Sequence, residues 1–130
     1  MPSILIVDDE PAIANLLENL LSGEGFNTET AADSTQAIAA CSRKFFDLVL
    51  SDISMPGMNG HQLTRWVAAN YPATRTALMT GFDDTGEQFP RSTGCQIIEK
   101  PFTPKRLVSF VRSIVGHDVP PMSRFEPEKF

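Results

Sequence analysis

Residues 4–9 read ILIVDD, a run of four branched apolar residues that ends in two aspartates. A short run of this kind is typical of a parallel strand that is buried on both faces of a sheet. Further apolar runs at 48–50, 77–79 and 97–98 are each followed, within two residues, by a polar side chain. Helical patterns separate these runs. The alternation predicts an α/β domain with a doubly wound, five-stranded parallel sheet and helices on both faces.

The predicted helices carry apolar residues at helical spacing. In the first helix the predicted buried face consists of Ile13, Leu16, Leu17, Leu20 and Leu21. Similar stripes predict helices over about 34–44, 61–70 and 104–115, and weak alternation over 26–31 predicts an edge strand. His61 follows a glycine at the start of its helix, where we expect it to be solvated.

Two segments depart from this regular pattern. Residues 83–94 contain Gly86 and Pro90 and show little periodicity, so we expect the fourth of the five helices to be short or irregular. Residues 118–130 are rich in proline and charge, which predicts a tail or linker stub after a domain spanning 1–117.

Composition narrows the class of protein. The 130 residues carry a formal net charge of -5 and show no clustered basic face, which argues against direct binding of nucleic acid. Cys41 and Cys95 lie in unrelated contexts without zinc-ligand spacing, so buried thiols in a reducing cytoplasm are expected. The sequence shows neither a secretory signal nor a run of about 20 apolar residues, and therefore predicts a cytoplasmic protein without membrane insertion.

Five polar side chains follow the predicted strands. They are Asp8, Asp9, Asp52, Thr80 and Lys100. Because the carboxyl ends of parallel strands meet at one edge of the sheet, these side chains are expected to converge on a single crevice. An acidic site with only oxygen ligands suits Mg²⁺, and also Mn²⁺. The pattern therefore predicts a divalent-metal site suited to phosphoryl chemistry.

The residue types suggest distinct roles in that chemistry. Asp52 is the best candidate nucleophile because its strand is predicted to be central and opposite Lys100. The adjacent Asp8 and Asp9 are better suited to hold metal. Lys100 supplies a fixed positive charge, and Thr80 supplies a small hydroxyl that can donate to a phosphoryl oxygen.

Four separated motifs carry a resemblance to a known family. They are Val7-Asp8-Asp9-Glu10, Asp52 with Met55-Pro56-Gly57-Met58-Asn59-Gly60, Thr80-Gly81 and Lys100-Pro101-Phe102. In this order they closely resemble the receiver domain of bacterial two-component response regulators, the CheY-like domain, over about residues 3–116. The resemblance implies a flavodoxin-like sheet with strand order 2-1-3-4-5.

The resemblance also assigns site residues. It implies that Asp52 is the phosphoacceptor, that Asp9 and Asp52 bind Mg²⁺ directly, and that Asp8 binds through water. It makes the backbone carbonyl of Ser54 the remaining protein ligand. The implied phosphoryl donor is a phosphohistidine on a sensor histidine kinase or histidine phosphotransfer protein. The domain would thus catalyse its own phosphorylation and dephosphorylation without being a turnover enzyme.

A second group of implied roles concerns switching. Thr80 would be the switch hydroxyl, Lys100 would contact the phosphoryl group, and the Lys100–Pro101 peptide bond is expected to be cis. The family usually places an aromatic residue three positions before the lysine, where this sequence has Ile97. A switch based on rotation of an aromatic ring is therefore not expected here. Phosphorylation often drives dimerisation in this family, so a phosphorylation-dependent dimer is an expected state.

Two alternatives remain open at this stage. A pseudo-receiver would bind partners without phosphorylation, and Ile97 together with the irregular fourth helix would suit it. A haloacid-dehalogenase-like phosphohydrolase would need an aspartate two residues after its nucleophile. Ser54 occupies that position after Asp52, and Glu10 occupies it after Asp8, so this pattern fails. The cognate kinase, stimulus and downstream target are not encoded in any motif.

Overall fold

Five parallel strands form one sheet in a computed structural model that describes residues 2–55, 57–80 and 95–115. Four helices accompany them in these ranges. In chain order the elements are β1 (Ser3–Val7), α1 (Pro11–Gly23), β2 (Asn27–Ala31), α2 (Ser34–Arg43), β3 (Leu48–Asp52), α3 (Gly60–Asn70), β4 (Arg75–Thr80), β5 (Gln96–Glu99) and α4 (Pro104–Val115). The doubly wound α/β prediction is confirmed.

The strand order is β2-β1-β3-β4-β5, which confirms the predicted order 2-1-3-4-5. β3 is the central strand and pairs with β1 on one side and β4 on the other. Asp52 and Thr80 were expected to follow β3 and β4. In the structure they are the last residues of these two strands. The pairing holds the carboxyl ends of β1, β3, β4 and β5 in one row, where Asp52 lies opposite Met79 and Thr80 lies opposite Glu99.

Both faces of the sheet are covered, which explains why the central strands are continuous apolar runs. α1 and α4 cover one face, where Ile4, Leu50 and Met79 of the sheet are fully buried. α2 and α3 cover the other face, which includes Leu5 and Val49. Alternate residues of one strand therefore enter opposite cores.

The buried face of α1 differs from the predicted stripe at one position. Leu16 is 62% exposed, while Ala14, Leu17 and Leu21 are buried. Successive helical residues are about 100° apart around the axis, so Leu16 lies a quarter-turn from Leu17, the centre of the buried stripe. Ala14 lies about 60° from Leu17 on the other side of the helix and is buried, so the buried stripe is displaced away from Leu16.

Side chains fix the starts of α2 and α3. Asp33 is the N-cap of α2 and accepts a hydrogen bond from the Gln36 amide at 2.8 Å. Asn59 and Gln62 form a reciprocal capping box at the start of α3. These local bonds set the position of the loop between β3 and α3, which borders the carboxyl edge of the sheet.

Some predictions fall outside the described residues. The irregular fourth helix within 83–94 and the tail at 118–130 both lie there. Cys41 and Cys95 are buried, as predicted, and they form no disulfide with each other. None of the helices in the described parts of the chain is long and apolar enough to cross a membrane.

Candidate metal and phosphoryl site

Three carboxylates converge at the carboxyl edge of the sheet. Asp8, Asp9 and Asp52 each offer a carboxylate oxygen, and these oxygens lie within 4.8 Å of one another. Asp8 and Asp52 are buried, whereas Asp9 is exposed. At 4 Å two unit charges repel by about 4 kcal/mol at an effective dielectric constant near 20. The cluster therefore needs a compensating positive charge.

Asp8 is the most constrained of the three. Its Oδ1 accepts a hydrogen bond from the Glu10 amide at 2.9 Å, whereas its buried Oδ2 has no hydrogen-bond partner among the described residues. Burial raises the pKa of the Asp8 carboxyl above its usual value, the nearby Asp52 raises it further, and the Glu10 amide and Lys100 lower it. A buried carboxylate oxygen without a donor is costly unless a cation or a proton satisfies it.

Lys100 supplies one positive charge to the cluster. Its Nζ lies 3.2 Å from Oδ1 of Asp52, in a half-buried ion pair. The pair joins the ends of β3 and β5, which are separated in the sheet by β4. The predicted juxtaposition of residues 52 and 100 is thus present, and Lys100 partly neutralises the acidic cluster.

The remaining predicted residues occupy the same edge. Thr80 is buried at the end of β4, and its carbonyl accepts a hydrogen bond from the Lys100 amide at 2.7 Å. Ser54 is exposed two residues after Asp52. The Lys100–Pro101 peptide bond is cis.

The residue at the switch position is aliphatic and packed. Ile97 lies half-buried against Ile53, Leu78 and Cys95, a small cluster at the end of β3 and β4. Ile53 directly follows Asp52 in the chain. The side chain at position 97 therefore contacts a residue adjacent to the acidic cluster without presenting an aromatic ring.

The donors suit a hard divalent cation. The three carboxylates supply only oxygen ligands, which Mg²⁺ and Mn²⁺ prefer. The buried, unpartnered Oδ2 of Asp8 is an independent sign that the site is built for a positive group. Asp8, Asp9 and Asp52 thus fit a bound Mg²⁺ ion.

Two glycines shape the loop that leaves the site after β3. Gly57 has a φ of +75°, a left-handed conformation that a side chain would strain. A Cβ at Gly60 would lie 2.4 Å from the Asp52 carbonyl oxygen and 2.9 Å from Leu78. The first turn of α3 therefore packs directly on the backbone of the strand that carries Asp52.

That close packing corrects one prediction and reveals one missed contact. His61 is buried rather than solvated, because it follows Gly60 in a turn pressed against the sheet. Ser34 is also buried, and its hydroxyl donates a 2.6 Å hydrogen bond to the Met58 carbonyl. Nothing in the local sequence indicates that the Ser34 hydroxyl has a partner 24 residues away.

The fold and the site together define a class of protein. It is an open α/β domain with a carboxylate cluster, a lysine and a hydroxyl at the carboxyl ends of its strands. The family model described as the response regulator receiver domain matches residues 4–112. The chain belongs to this family, the receiver domains of two-component signal transduction.

Curated relatives agree with this assignment. The chain is 38% identical over 111 residues to the DNA-binding response regulator MtrA of Mycolicibacterium smegmatis, covering 85% of this chain and 49% of the relative. It is 34% identical over 113 residues to the C4-dicarboxylate transport transcriptional regulatory protein DctD of Rhizobium meliloti, covering 85% and 25%. The chain spans about half the length of MtrA and a quarter of DctD.

Solved structures share the fold. Response regulator TrrA of Thermotoga maritima, solved in complex with Mg²⁺ and BeF, matches with a TM-score of 0.79 and 29% identity, covering 88% of this chain and 99% of that one. The receiver domain of NtrX from Brucella abortus matches with a TM-score of 0.75 and 29% identity, covering 87% and 98%. Both confirm a CheY-like architecture.

Proposed function

We propose that this chain is a phosphoacceptor receiver that takes a phosphoryl group from a phosphohistidine onto Asp52. The observation that carries the proposal is the ion pair between Lys100 and Asp52 inside a cluster of three carboxylates. An acidic rim without function would not require a buried, unpartnered oxygen on Asp8 beside a paired Asp52. The family assignment and the Mg²⁺ complex of TrrA support the same reading.

In the proposed reaction a carboxylate oxygen of Asp52 attacks the phosphorus atom of the donor. A phosphorus–oxygen bond forms and the phosphorus–nitrogen bond breaks, and the departing imidazole nitrogen keeps the bonding pair and takes up a proton. Lys100 moves its charge from the Asp52 carboxylate to a phosphoryl oxygen, and the Thr80 hydroxyl donates to the same group. Hydrolysis of the acyl phosphate by water releases inorganic phosphate and regenerates Asp52.

Asp8, Asp9 and Asp52, with the backbone carbonyl of Ser54, are the residues proposed to hold Mg²⁺ or Mn²⁺. The bound ion would neutralise the carboxylates and the charge on the transferring phosphoryl group. Other contacts within the chain hold these residues in place. Asp8 is held by the Glu10 amide, and the capping box at Asn59 fixes the far end of the loop that carries Ser54.

The phosphoryl donor is proposed to be a sensor histidine kinase or a histidine phosphotransfer protein. Residues 1–117 are proposed to act as the receiver and 118–130 as a tail or linker stub. Direct binding of nucleic acid is not proposed for the receiver, although MtrA carries the name of a DNA-binding regulator. Phosphorylation-dependent dimerisation and a cytoplasmic location remain predictions.

The decisive experiment measures phosphorylation of Asp52. The protein is incubated with acetyl phosphate and Mg²⁺, and intact mass is recorded before and after mild base. We expect one base-labile phosphoryl adduct for each chain, which Asp52→Asn abolishes and Asp9→Asn reduces. Chelation of the metal should also suppress the adduct.

Two other outcomes would reject the proposal. The absence of any adduct on the folded wild-type chain, with both acetyl phosphate and a phosphohistidine donor, would favour a pseudo-receiver. Repeated turnover of a phosphate ester without a stoichiometric adduct would indicate a phosphohydrolase. An adduct that survives Asp52→Asn would move the phosphoacceptor to another residue.

A further inference from the structure

The junction between β2 and α2 makes hydrogen bonds to two parts of the acidic site, Asp8 and the loop that begins at Asp52. On one side, the Asp8 amide donates to the Ala31 carbonyl at 3.1 Å. On the other side, the Ser34 hydroxyl donates to the Met58 carbonyl at 2.6 Å. Asp8 carries one of the clustered carboxylates, and Met58 lies in the loop that begins at Asp52. A single short segment, residues 31–34, thus links two parts of the site that are distant in sequence.

The junction is itself rigidly held. The Gln36 amide donates to Asp33 Oδ1 at 2.8 Å, and the Gln36 side-chain oxygen accepts from the Ala32 amide at 2.9 Å. These two bonds close a reciprocal cap at the start of α2. Ser34 sits inside this cap and is 5% exposed, so water competes little for its hydroxyl. Ser34 is therefore a fixed donor.

The loop between β3 and α3, which Ser34 contacts, is held at both ends by backbone hydrogen bonds. At one end the Ile53 amide donates to the Met79 carbonyl at 3.2 Å, and the Gly60 amide donates back to the Ile53 carbonyl at 2.9 Å. Ser54 lies between these ends, four residues before Met58. The hydrogen bond from Ser34 attaches the arm of the loop that contains Met58 to α2, whereas the loop begins at the end of β3.

We propose that Ser34 is a positioning residue for the receiver site, and that its hydroxyl sets the Met58 arm of the loop so that the Ser54 carbonyl meets the cation. This inference rests on the proposed function, because Ser54 is a ligand only if the site binds a divalent ion. Ser34 contacts neither the ion nor the phosphoryl group. Groups that do not touch a metal but orient its ligands through hydrogen bonds commonly change metal affinity by about 10–100-fold when they are removed.

The test is a graded series at residue 34, measured on the full chain. Ser34→Ala removes the donor, Ser34→Cys keeps a weak donor and Ser34→Thr keeps the hydroxyl. Titration calorimetry with Mg²⁺ alone is expected to give about tenfold weaker binding for Ser34→Ala, an intermediate loss for Ser34→Cys and near wild-type affinity for Ser34→Thr. Ser42→Ala is the matched control, because that serine is exposed on the same helix and its hydroxyl donates to the Ala39 carbonyl of that helix.

A second readout separates positioning from folding. Urea unfolding of each metal-free variant identifies conditions in which all of them are folded, and Mg²⁺ affinity is compared there. A merely structural serine would lower stability and leave the affinity of the folded protein unchanged. The lifetime of the acetyl-phosphate adduct should also change in Ser34→Ala and return toward wild type in Ser34→Thr.

The outcomes are distinguishable from those of the proposed function. If wild type forms the Asp52 adduct and Ser34→Ala binds Mg²⁺ as tightly as wild type, the positioning role is wrong and the receiver function stands. If wild type binds Mg²⁺ but forms no adduct, the proposed function fails, and the affinity series still decides the role of Ser34. If wild type binds no Mg²⁺, both proposals are overturned.

Discussion

Replacing Asp8 with Asn should stabilise the metal-free protein at neutral pH. Asp8 is 2% exposed, its Oδ2 lacks a hydrogen-bond partner, and its carboxylate lies within 4.8 Å of that of Asp52. At 4.8 Å and an effective dielectric constant near 20, that repulsion alone amounts to about 3.5 kcal/mol. Asn has nearly the same shape and carries no charge.

The net gain is smaller because favourable contacts are also lost. Lys100 attracts the Asp8 carboxylate and the Glu10 amide donates to it, and both contacts weaken when the charge is removed. We therefore expect a gain of about 1–2 kcal/mol in the free energy of unfolding. For a domain of this size each kcal/mol raises the melting temperature by about 3–5 °C. The assay is thermal and urea unfolding with a chelator present.

The pH dependence of this gain has a definite sign. Since the pKa of Asp8 is raised in the folded state above its ordinary value of 3.8, the folded protein binds more protons than the unfolded chain just above that pH. Stability of the metal-free wild type is therefore lost as pH rises from about 3.8 through the raised pKa. Asp8→Asn removes this loss, so the difference between the two proteins should grow with pH and then level off.

Mg²⁺ should reverse the ranking. A ligand that binds only the folded state adds about 2.7 kcal/mol at a concentration one hundred times its dissociation constant. Wild type should gain this stability, and Asp8→Asn should gain much less. Asp9→Asn is the control. Asp9 is exposed and its charge is screened by solvent, so this substitution should stabilise the metal-free protein less than Asp8→Asn does. A metal-free Asp8→Asn protein that melts at or below the wild-type temperature would refute the argument.

Three further predictions concern the loop and the ion pair. Gly60→Ala should lower the free energy of unfolding by about 1–3 kcal/mol, measured by urea unfolding, and should slow phosphorylation, because the new Cβ would lie 2.4 Å from the Asp52 carbonyl oxygen. Ser54→Asn or Ser54→Glu should change the dephosphorylation rate of the acyl phosphate, because Ser54 is exposed two residues after Asp52 and a larger polar side chain there would alter the access of water; an unchanged adduct lifetime would reject this role. Lys100→Met should reduce the initial rate of adduct formation by about 10–100-fold, because the variant loses the positive charge that lies 3.2 Å from Oδ1 of Asp52.

Two of these predictions have matched controls. Gly23→Ala adds a methyl group that meets no described residue within 4 Å apart from its chain neighbours and the backbone of its own helix, so it should have little effect on phosphorylation. Lys100→Arg keeps the positive charge but changes its shape, and should retain more activity than Lys100→Met. If Gly60→Ala forms the adduct as fast and melts as high as wild type, the close packing of α3 on β3 does not constrain the site.

The sequence alone was sufficient for the sheet and for the composition of the site. Apolar runs such as 4–7 and 48–50 are buried on both faces, and that burial forces a pattern that can be read without coordinates. The carboxyl ends of parallel strands must share one edge, so Asp8, Asp52 and Lys100 could be placed together from their positions after these runs. These inferences depend on local periodicity and on a general rule of sheet topology.

Tertiary structure decided which side chains are buried where local patterns are ambiguous. Leu16 matches helical spacing but lies outside the buried stripe, whereas Ala14, on the other side of Leu17, is buried. His61 is polar and near a turn, yet it is buried because Gly60 lets α3 approach the Asp52 backbone. Exposure at such positions depends on the neighbouring element, which the local sequence does not specify.

Long-range polar contacts were likewise decided only by the fold. The hydrogen bond from Ser34 to Met58 joins residues 24 apart, and neither residue carries a pattern that would identify its partner. The Oδ2 of Asp8 is buried without a hydrogen-bond partner among the described residues, which no local pattern predicts. Sequence periodicity determines which face of an element is apolar, whereas distances between polar atoms follow from how the elements pack in three dimensions.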